Sequence, residues 1–221
     1  MLSQTVEDYI KVIYKYQVEE GSPTVSTKDI AEALEISAAS VTSMIKRISK
    51  MGLAEYKSYQ GVKLTEAGKK VALEIIRHHR LLELYLSEIM GYSWDEVHDE
   101  AEHLEHHISE QFEDTISEML GHPQYDPHGD PIPAKNGELP PLDSDLLTEV
   151  GENKSYIIKR ITDQNPELLR YLGELGLKPN AEIDLLSQAP FKGPVSLRLN
   201  DEKVIIGYEV ASHIHVVEKG N

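Results

Sequence analysis

Apolar residues recur every three or four positions through the first half of the chain and alternate over short runs in its last third. That change of period predicts helices followed by a small group of strands. Thr5–Gln17 sets Val6, Tyr9, Ile10, Ile13 and Tyr16 or Gln17 on one face, with Thr5 as N-cap and Glu7 and Asp8 at the positive end of the helix dipole. Ser26, with Asp29 three residues on, starts a second helix that turns inward Ile30, Ala31, Ala33 and Leu34. After a turn at Glu35-Ile36, Ser37 caps a third helix with Val41, Met44, Ile45 and Ile48 inward, closed by Gly52. Two short helices across a tight turn predict a helix-turn-helix, and the alternation of Leu53–Leu64 about Gly61 predicts a two-stranded wing.

Thr65 opens a long helix to about Met90. Its Val71, Leu73, Ile75, Ile76, Leu81, Leu82, Leu84, Tyr85, Leu86 and Ile89 exceed one core stripe, so a second face is expected to pack on a partner subunit. Gly91-Tyr92-Ser93 turns the chain, Trp94 anchors the loop, and another helix is expected from Val97 to about Leu120. Gly121–Leu142 holds six of the eleven prolines and reads as a connector. Beyond it Ser155–Ile161, Glu182–Ser187, Val195–Leu199, Lys203–Gly207 and Ser212–Val217 are strand-like, with a helix at Asn165–Leu175 between them, which suggests a small SH3-like β-barrel. The fold class is therefore mainly α with a small β domain. The expected divisions are a winged helix-turn-helix over 1–70, a helical dimerisation and metal-binding domain with its Pro-rich linker over 71–140, and the barrel over 141–221.

The chemistry gathers at Val97–His107. On one continuous helix His98, Glu102, Glu105 and His106 fall at i, i+4, i+7 and i+8 and share a stripe beside apolar Val97, Ala101, Leu104 and Ile108. Carboxylates and imidazoles crowded together repel unless a cation sits among them. Oxygen and imidazole donors without thiolate suit Mn²⁺, Fe²⁺, Co²⁺ or Zn²⁺. The plainer alternative is a solvated acidic face. His79 and Glu83, one turn apart, reach a common ion, and Asp126-Pro127-His128 in the connector offers two further donors.

The chain has no cysteine, which excludes disulfides, iron–sulfur clusters and thiolate zinc sites. No 18-residue apolar run and no signal-peptide pattern at Met1–Ile10 are present, so a cytoplasmic protein with no membrane partner is expected. The formal charge of −16 speaks against nucleic acid until it is divided along the chain. Residues 1–70 carry ten Lys and Arg against nine Asp and Glu, while residues 71–150 carry three against nineteen. The third helix turns outward Ser37, Ala38, Ala39, Ser40, Thr42, Ser43, Lys46, Arg47 and Lys50, with no acid between Glu35 and Glu55. Small residues admit the helix to base edges and cations hold phosphates. Lys57, Tyr59, Gln60 and Lys63 of the wing are expected to meet the DNA backbone.

The order of these segments, with His79-Arg80-Leu81-Leu82-Glu83 and the H-D-E-A-x-x-x-E-H run from His98 to His106, resembles the diphtheria toxin repressor family over essentially the whole chain. The resemblance implies a metal-dependent transcriptional repressor, a homodimer on a double-stranded DNA operator, with a FeoA-like barrel at the C-terminus. Glu102 stands where iron-responsive members carry cysteine and Asp8 where they carry methionine, which points to the manganese branch and Mn²⁺, with Fe²⁺, Zn²⁺ and Co²⁺ as alternatives. The resemblance implies a primary site of Asp8, Glu102, Glu105 and His106, with His79 in it or bridging to its neighbour. It implies a second site of Glu83, Asp126 and His128, completed by His98 or Asp163. Short two-domain manganese regulators carry a carboxylate where this chain has Lys11, which favours separated sites over a close metal pair. An iron- or zinc-responsive repressor of the same fold is the nearest rival. A carboxylate–histidine oxidase is less favoured, since Glu100-x-x-His103 has no second such unit.

Overall fold

The computed structural model describes residues 2–18 and 21–220. The chain divides into two compact units. The first runs from the N-terminus to His78 and includes Glu105–Ile108 and Pro133–Glu138. The second holds His79–Leu104, Ser109–Ile132 and everything from Leu139 on.

In the first unit α1 (Gln4–Val18) buries Val6, Tyr9, Ile10 and Ile13. Its first amides bond the Ser3 carbonyl, so Thr5 lies inside the helix and is not its cap. Ser26 and Asp29 form a reciprocal capping box on α2 (Thr27–Ala33), and the Ser37 hydroxyl accepts from the Ser40 amide to cap α3 (Ala38–Lys50). Val41, Ile45 and Ile48 of α3 pack against Ile10, Ile13 and Ile30. The wing is an antiparallel pair, β1 (Ala54–Lys57) and β2 (Gly61–Leu64). The Val25–Val62 backbone pair ties it to the residues before α2. This is the expected winged helix-turn-helix.

α4 (Glu66–Glu88) follows as one 23-residue helix. The expected single helix from Val97 to Leu120 is broken: α5 (Val97–Leu104) stops, Glu105–His107 turn, and the Ser109 hydroxyl caps a new helix, α6 (Glu110–Met119). The proposed stripe of His98, Glu102, Glu105 and His106 therefore does not exist as a helix face. Its first two members lie on α5 in the second unit, and its last two lie in the turn that belongs to the first. The physical reason is that the Glu105 and His106 side chains are both engaged by residues of α1, and Ser109 supplies a fresh start.

In the second unit the strands form one antiparallel sheet in the order β3-β8-β4-β5-β6-β7. The strands are β3 (Asp145–Leu146), β4 (Lys154–Ile161), β5 (Glu182–Gln188), β6 (Val195–Leu199), β7 (Glu202–Ile206) and β8 (Ile214–Glu218). The two-residue β3 and the single turn α8 (Tyr208–Ala211) are too short to show a period in sequence. Asn165 caps α7 (Pro166–Glu174), with Pro166 in its first turn. Ile158, Ile161, Leu169, Leu172, Leu185, Leu197 and Val216 fill the barrel, and Trp94, from the loop before α5, is part of the same core.

The connector is ordered against the end of β4. The Ile161 amide donates to the His128 carbonyl at 2.9 Å. Gly129 has φ +90°, and a Cβ there would lie 1.9 Å from the Lys159 carbonyl oxygen. Only glycine allows this approach.

Candidate metal centre

Two clusters of donors stand out, one in each unit. In the first, Asp8, Glu105 and His106 bring donor atoms within 4.8 Å of one another. α1 supplies Asp8 and the 105–107 turn supplies the others. The His106 ring is nearly fully buried between carboxylates: Nδ1 lies 2.6 Å from Glu7 Oε2, and Nε2 lies 2.9 Å from Asp8 Oδ1 and 3.3 Å from Glu105 Oε1. Nδ1–H donating to Glu7 leaves Nε2 as a bare lone pair, and Nε2 is buried without a hydrogen bond. A lone pair facing two carboxylate oxygens is an arrangement that calls for a cation. Lys11 Nζ brings a positive charge to this cluster, bonded to both Glu105 oxygens at 2.9 and 2.8 Å. The His78 ring nitrogen bonds the Glu105 backbone carbonyl at 3.1 Å.

The second cluster is Glu83, Asp126 and His128, all buried, with donor atoms again within 4.8 Å. Each residue satisfies one atom within the protein and leaves another open. Asp126 Oδ1 accepts from the His128 and Asp130 amides, and His128 Nε2 donates to the Trp94 carbonyl at 2.8 Å. Glu83 Oε1 accepts from His79 at 2.9 Å and from His98 at 3.1 Å. The atoms left without a hydrogen bond are Glu83 Oε2, Asp126 Oδ2 and His128 Nδ1. Buried polar atoms are almost always paired, so three orphans converging on one point fit a bound cation.

The charges around this point are arranged with the same logic. Burial would raise the Glu83 carboxyl, yet His79, His98 and His128 together hold it well below the usual carboxylate range. Burial, then Asp130 and Glu83, pushes Asp126 well above it, and Arg80 offsets this only in part. Arg80 donates to the Pro131 carbonyl and lies 3.8 Å from both Asp126 and Asp130. Arg160 of β4 pairs with Asp130, whose other oxygen accepts from Gln164.

His79, Glu83 and His98 form a further donor set that shares Glu83. Glu102 is half-exposed on α5, 3.9 Å from both His79 and His98. Asp163 accepts from the Asn165 amide and faces His213 at 3.8 Å, while Glu83, Asp126 and His128 cluster without it. Sequence reasoning gave no ligand-orienting role to Glu7, Arg80, Asp130, Arg160 or the Trp94 carbonyl. Glu7 was legible only as a favourable charge at a helix start, and a backbone carbonyl leaves no sequence signal.

On α3, Ala39, Thr42, Ser43, Lys46, Arg47 and Lys50 line an open groove. Ser37, Ala38 and Ser40 are exposed at its start, where the Thr42 hydroxyl bonds the Ala38 carbonyl. Lys57, Tyr59 and Gln60 project from the wing tip, with Tyr59 fully exposed.

Three family models match in sequence. Residues 1–62 match the N-terminal DNA-binding domain of iron-dependent repressors, residues 65–134 their metal-binding and dimerisation domain, and residues 146–218 the FeoA domain. The iron-dependent repressor IdeR of Mycobacterium tuberculosis is 31% identical over 99% of this chain and 98% of its own length. The chain belongs to the diphtheria toxin (iron-dependent) repressor family. Its members are metal-dependent DNA-binding repressors and not enzymes, which sets the oxidase alternative aside. The HTH-type transcriptional regulator MntR of Oceanobacillus iheyensis is 36% identical over 55% of this chain and 81% of its own. A solved manganese-dependent transcriptional repressor in complex with manganese is 37% identical, covers 97% of this chain and 100% of its own, and superposes with a TM-score of 0.86. The matched domains make this repressor a DNA-binding, dimerising protein. Among the described residues no helix is long and apolar enough to cross a membrane.

Proposed function

We propose that the repressor responds to Mn²⁺, which as corepressor favours binding of the homodimer to palindromic operators of metal-uptake genes. The observation that carries this is the donor chemistry. The open buried atoms of the two clusters, Glu83 Oε2, Asp126 Oδ2, His128 Nδ1 and His106 Nε2, are carboxylate oxygens and imidazole nitrogens, in a chain without thiols. Such a set suits a hard divalent ion better than a soft one. A relative solved with manganese, 37% identical over nearly the whole chain, supports the same choice.

Asp8, Glu105 and His106 would hold one ion, and Glu83, Asp126 and His128 a second. A bound ion supplies fixed positive charge that neutralises the converging carboxylates. The chain does the rest. Glu7 holds the His106 ring so that Nε2 points to the site, and Asp8 joins α1 of the DNA-binding segment to Glu105 and His106 of the segment matching the dimerisation domain. Two reading helices on a two-fold axis meet half-sites about one helical turn apart only when each is held in register, and this joint provides the hold. Asp8, Glu105 and His106 would favour that arrangement when they share an ion.

The test is operator affinity measured across Mn²⁺, Fe²⁺, Co²⁺ and Zn²⁺ at fixed free-ion activity, with wild type and Asp8→Ala. Mn²⁺-dependent binding that Asp8→Ala strongly weakens is expected. Activation by Fe²⁺ or Zn²⁺ but not Mn²⁺ overturns the choice of metal, and full Mn²⁺ response in Asp8→Ala overturns the joint.

A further inference from the structure

Lys11 is the charged residue at the first cluster to which the reading above assigns no task. It follows Asp8 by three residues on α1, so both side chains reach the 105–107 turn. Its Nζ engages both oxygens of Glu105, whose side chain is fully buried, while the lysine side chain keeps a fifth of its exposure. We propose that Lys11 is a built-in competitor of the metal ion. Its ammonium neutralises Glu105 in the metal-free chain and must be displaced for the ion to take that carboxylate, so Lys11 sets the metal concentration at which the first site fills. This rests on the reading of Asp8, Glu105 and His106 as metal donors.

A buried carboxylate without a counter-charge is strongly disfavoured, so the cluster needs a cation in every state. Lysine provides one that arrives with the fold. Because it occupies both Glu105 oxygens, an ion gains neither without loosening it. Lysine suits a displaceable role better than arginine: it is a compact charge on a flexible stem that can stay packed while the head returns to water. The same contact ties α1 to the 105–107 turn, so exchange of ammonium for metal replaces a singly charged fastening with a doubly charged one.

The experiment uses the full-length protein. Mn²⁺ binding is titrated by the electron paramagnetic resonance of the free ion for wild type, Lys11→Met, Lys11→Arg, Lys15→Met and Asp8→Ala. Lysine reactivity toward an amine-selective reagent is mapped by mass spectrometry on wild type with and without Mn²⁺. Lys11→Met is expected to tighten the first site about tenfold or more, since a charge-assisted contact no longer opposes the ion. Lys11→Arg, which keeps the charge and grips both oxygens, binds no tighter than wild type. Lys15→Met, which removes the same charge from an exposed position one turn on, shifts affinity less than about twofold. Lys11 labelling rises several-fold on saturation with Mn²⁺. Weaker or unchanged Mn²⁺ binding in Lys11→Met, or Lys11 labelling that stays constant or falls, overturns the proposal even if the variant folds poorly, because the labelling needs only wild type. Asp8→Ala separates the two readings. Undiminished Mn²⁺ stoichiometry there removes the site itself, whereas loss of one ion per chain with a neutral Lys11→Met removes only the role of Lys11.

Discussion

A histidine ring offers two nitrogens, and at each candidate site of this repressor the protein uses one and leaves the other. His106 gives Nδ1 to the Glu7 carboxylate, and His128 gives Nε2 to the Trp94 carbonyl. The partner fixes the tautomer and raises the basicity of the open nitrogen, more so for a carboxylate than for a carbonyl. Glu7→Gln keeps an acceptor near Nδ1 but removes the charge, and we expect Mn²⁺ affinity at the first site to fall about 10- to 100-fold with helix content unchanged. Titration with Mn²⁺ beside circular dichroism checks this. Asp126 makes the opposite case. Burial and the anions Asp130 and Glu83 disfavour its charged form. Asp126→Asn keeps the Oδ1 acceptor of the turn while removing that penalty. The metal-free variant is expected to melt at or above the wild-type temperature at neutral pH, yet to bind one Mn²⁺ fewer per chain. A clear drop in the metal-free melting temperature would show that the carboxylate is needed by the fold and not by the ion. The candidate donors were noticeable in sequence because His, Asp and Glu close together are conspicuous. Their orientation was not, because Glu7 already had a sufficient explanation at a helix start and carbonyls are everywhere.

At the scale of elements, periodicity was a good guide wherever one face of a helix or strand is buried for several turns. α1 to α4, the wing and five of the barrel strands lie within a few residues of where alternation puts them. It failed at Glu105–His107, where an apolar stripe continues through Leu104 and Ile108 but side-chain bonds to α1 override it. No local pattern can announce a contact with a residue nearly a hundred positions away. The loop before α5 shows a second such contact. Trp94 packs in the barrel core with Lys178 Nζ 5.0 Å above its ring, and a Cβ at Gly173 of α7 would lie 2.8 Å from its indole nitrogen. Next to it Asp95 pairs with Arg170 of α7 at 3.1 Å. Burial raises the Asp95 carboxyl, but the Ser93 hydroxyl, its own amide and the Arg170 guanidinium outweigh it and leave it below the ordinary value. A depressed folded pKa means stability that is present above the unfolded value, about 3.9, and is lost as pH falls through the folded one. Asp95→Asn is therefore expected to lower the melting temperature at pH 7, by an amount equivalent to under about 1 kcal/mol because Arg170 is largely exposed. The gap from wild type should close below about pH 4. Thermal melts of the two proteins from pH 3 to 7 decide it. A gap of the same size at pH 3 as at pH 7 would assign the effect to packing around Trp94.

For the whole molecule the governing fact is the separation of charge along the chain. A formal charge of −16 would repel DNA if it were spread evenly. The acids are concentrated in residues 71–150, while α3 and the wing present Lys46, Arg47, Lys50 and Lys57 with no acid between Glu35 and Glu55. Binding that depends on such cations releases counterions from the duplex, so the logarithm of affinity falls linearly with the logarithm of salt, with a slope near −0.9 per phosphate neutralised. Lys46 is exposed at the α3 groove in each of the two subunits. Lys46→Ala should therefore make the slope shallower by about 2, and weaken specific and nonspecific DNA to a similar degree. The candidate metal donors are proposed to act differently: they would alter how often the reading helices are held in register and not how many phosphates they meet once held. Asp8→Ala should displace the whole line downward at saturating Mn²⁺ and leave its slope within about one unit of wild type. Fluorescence anisotropy on operator DNA, from about 50 to 200 mM salt, measures both. A Lys46→Ala line parallel to wild type would take α3 off the phosphate backbone. An Asp8→Ala line of clearly shallower slope would mean that the ion itself, or the surface it orders, meets the DNA.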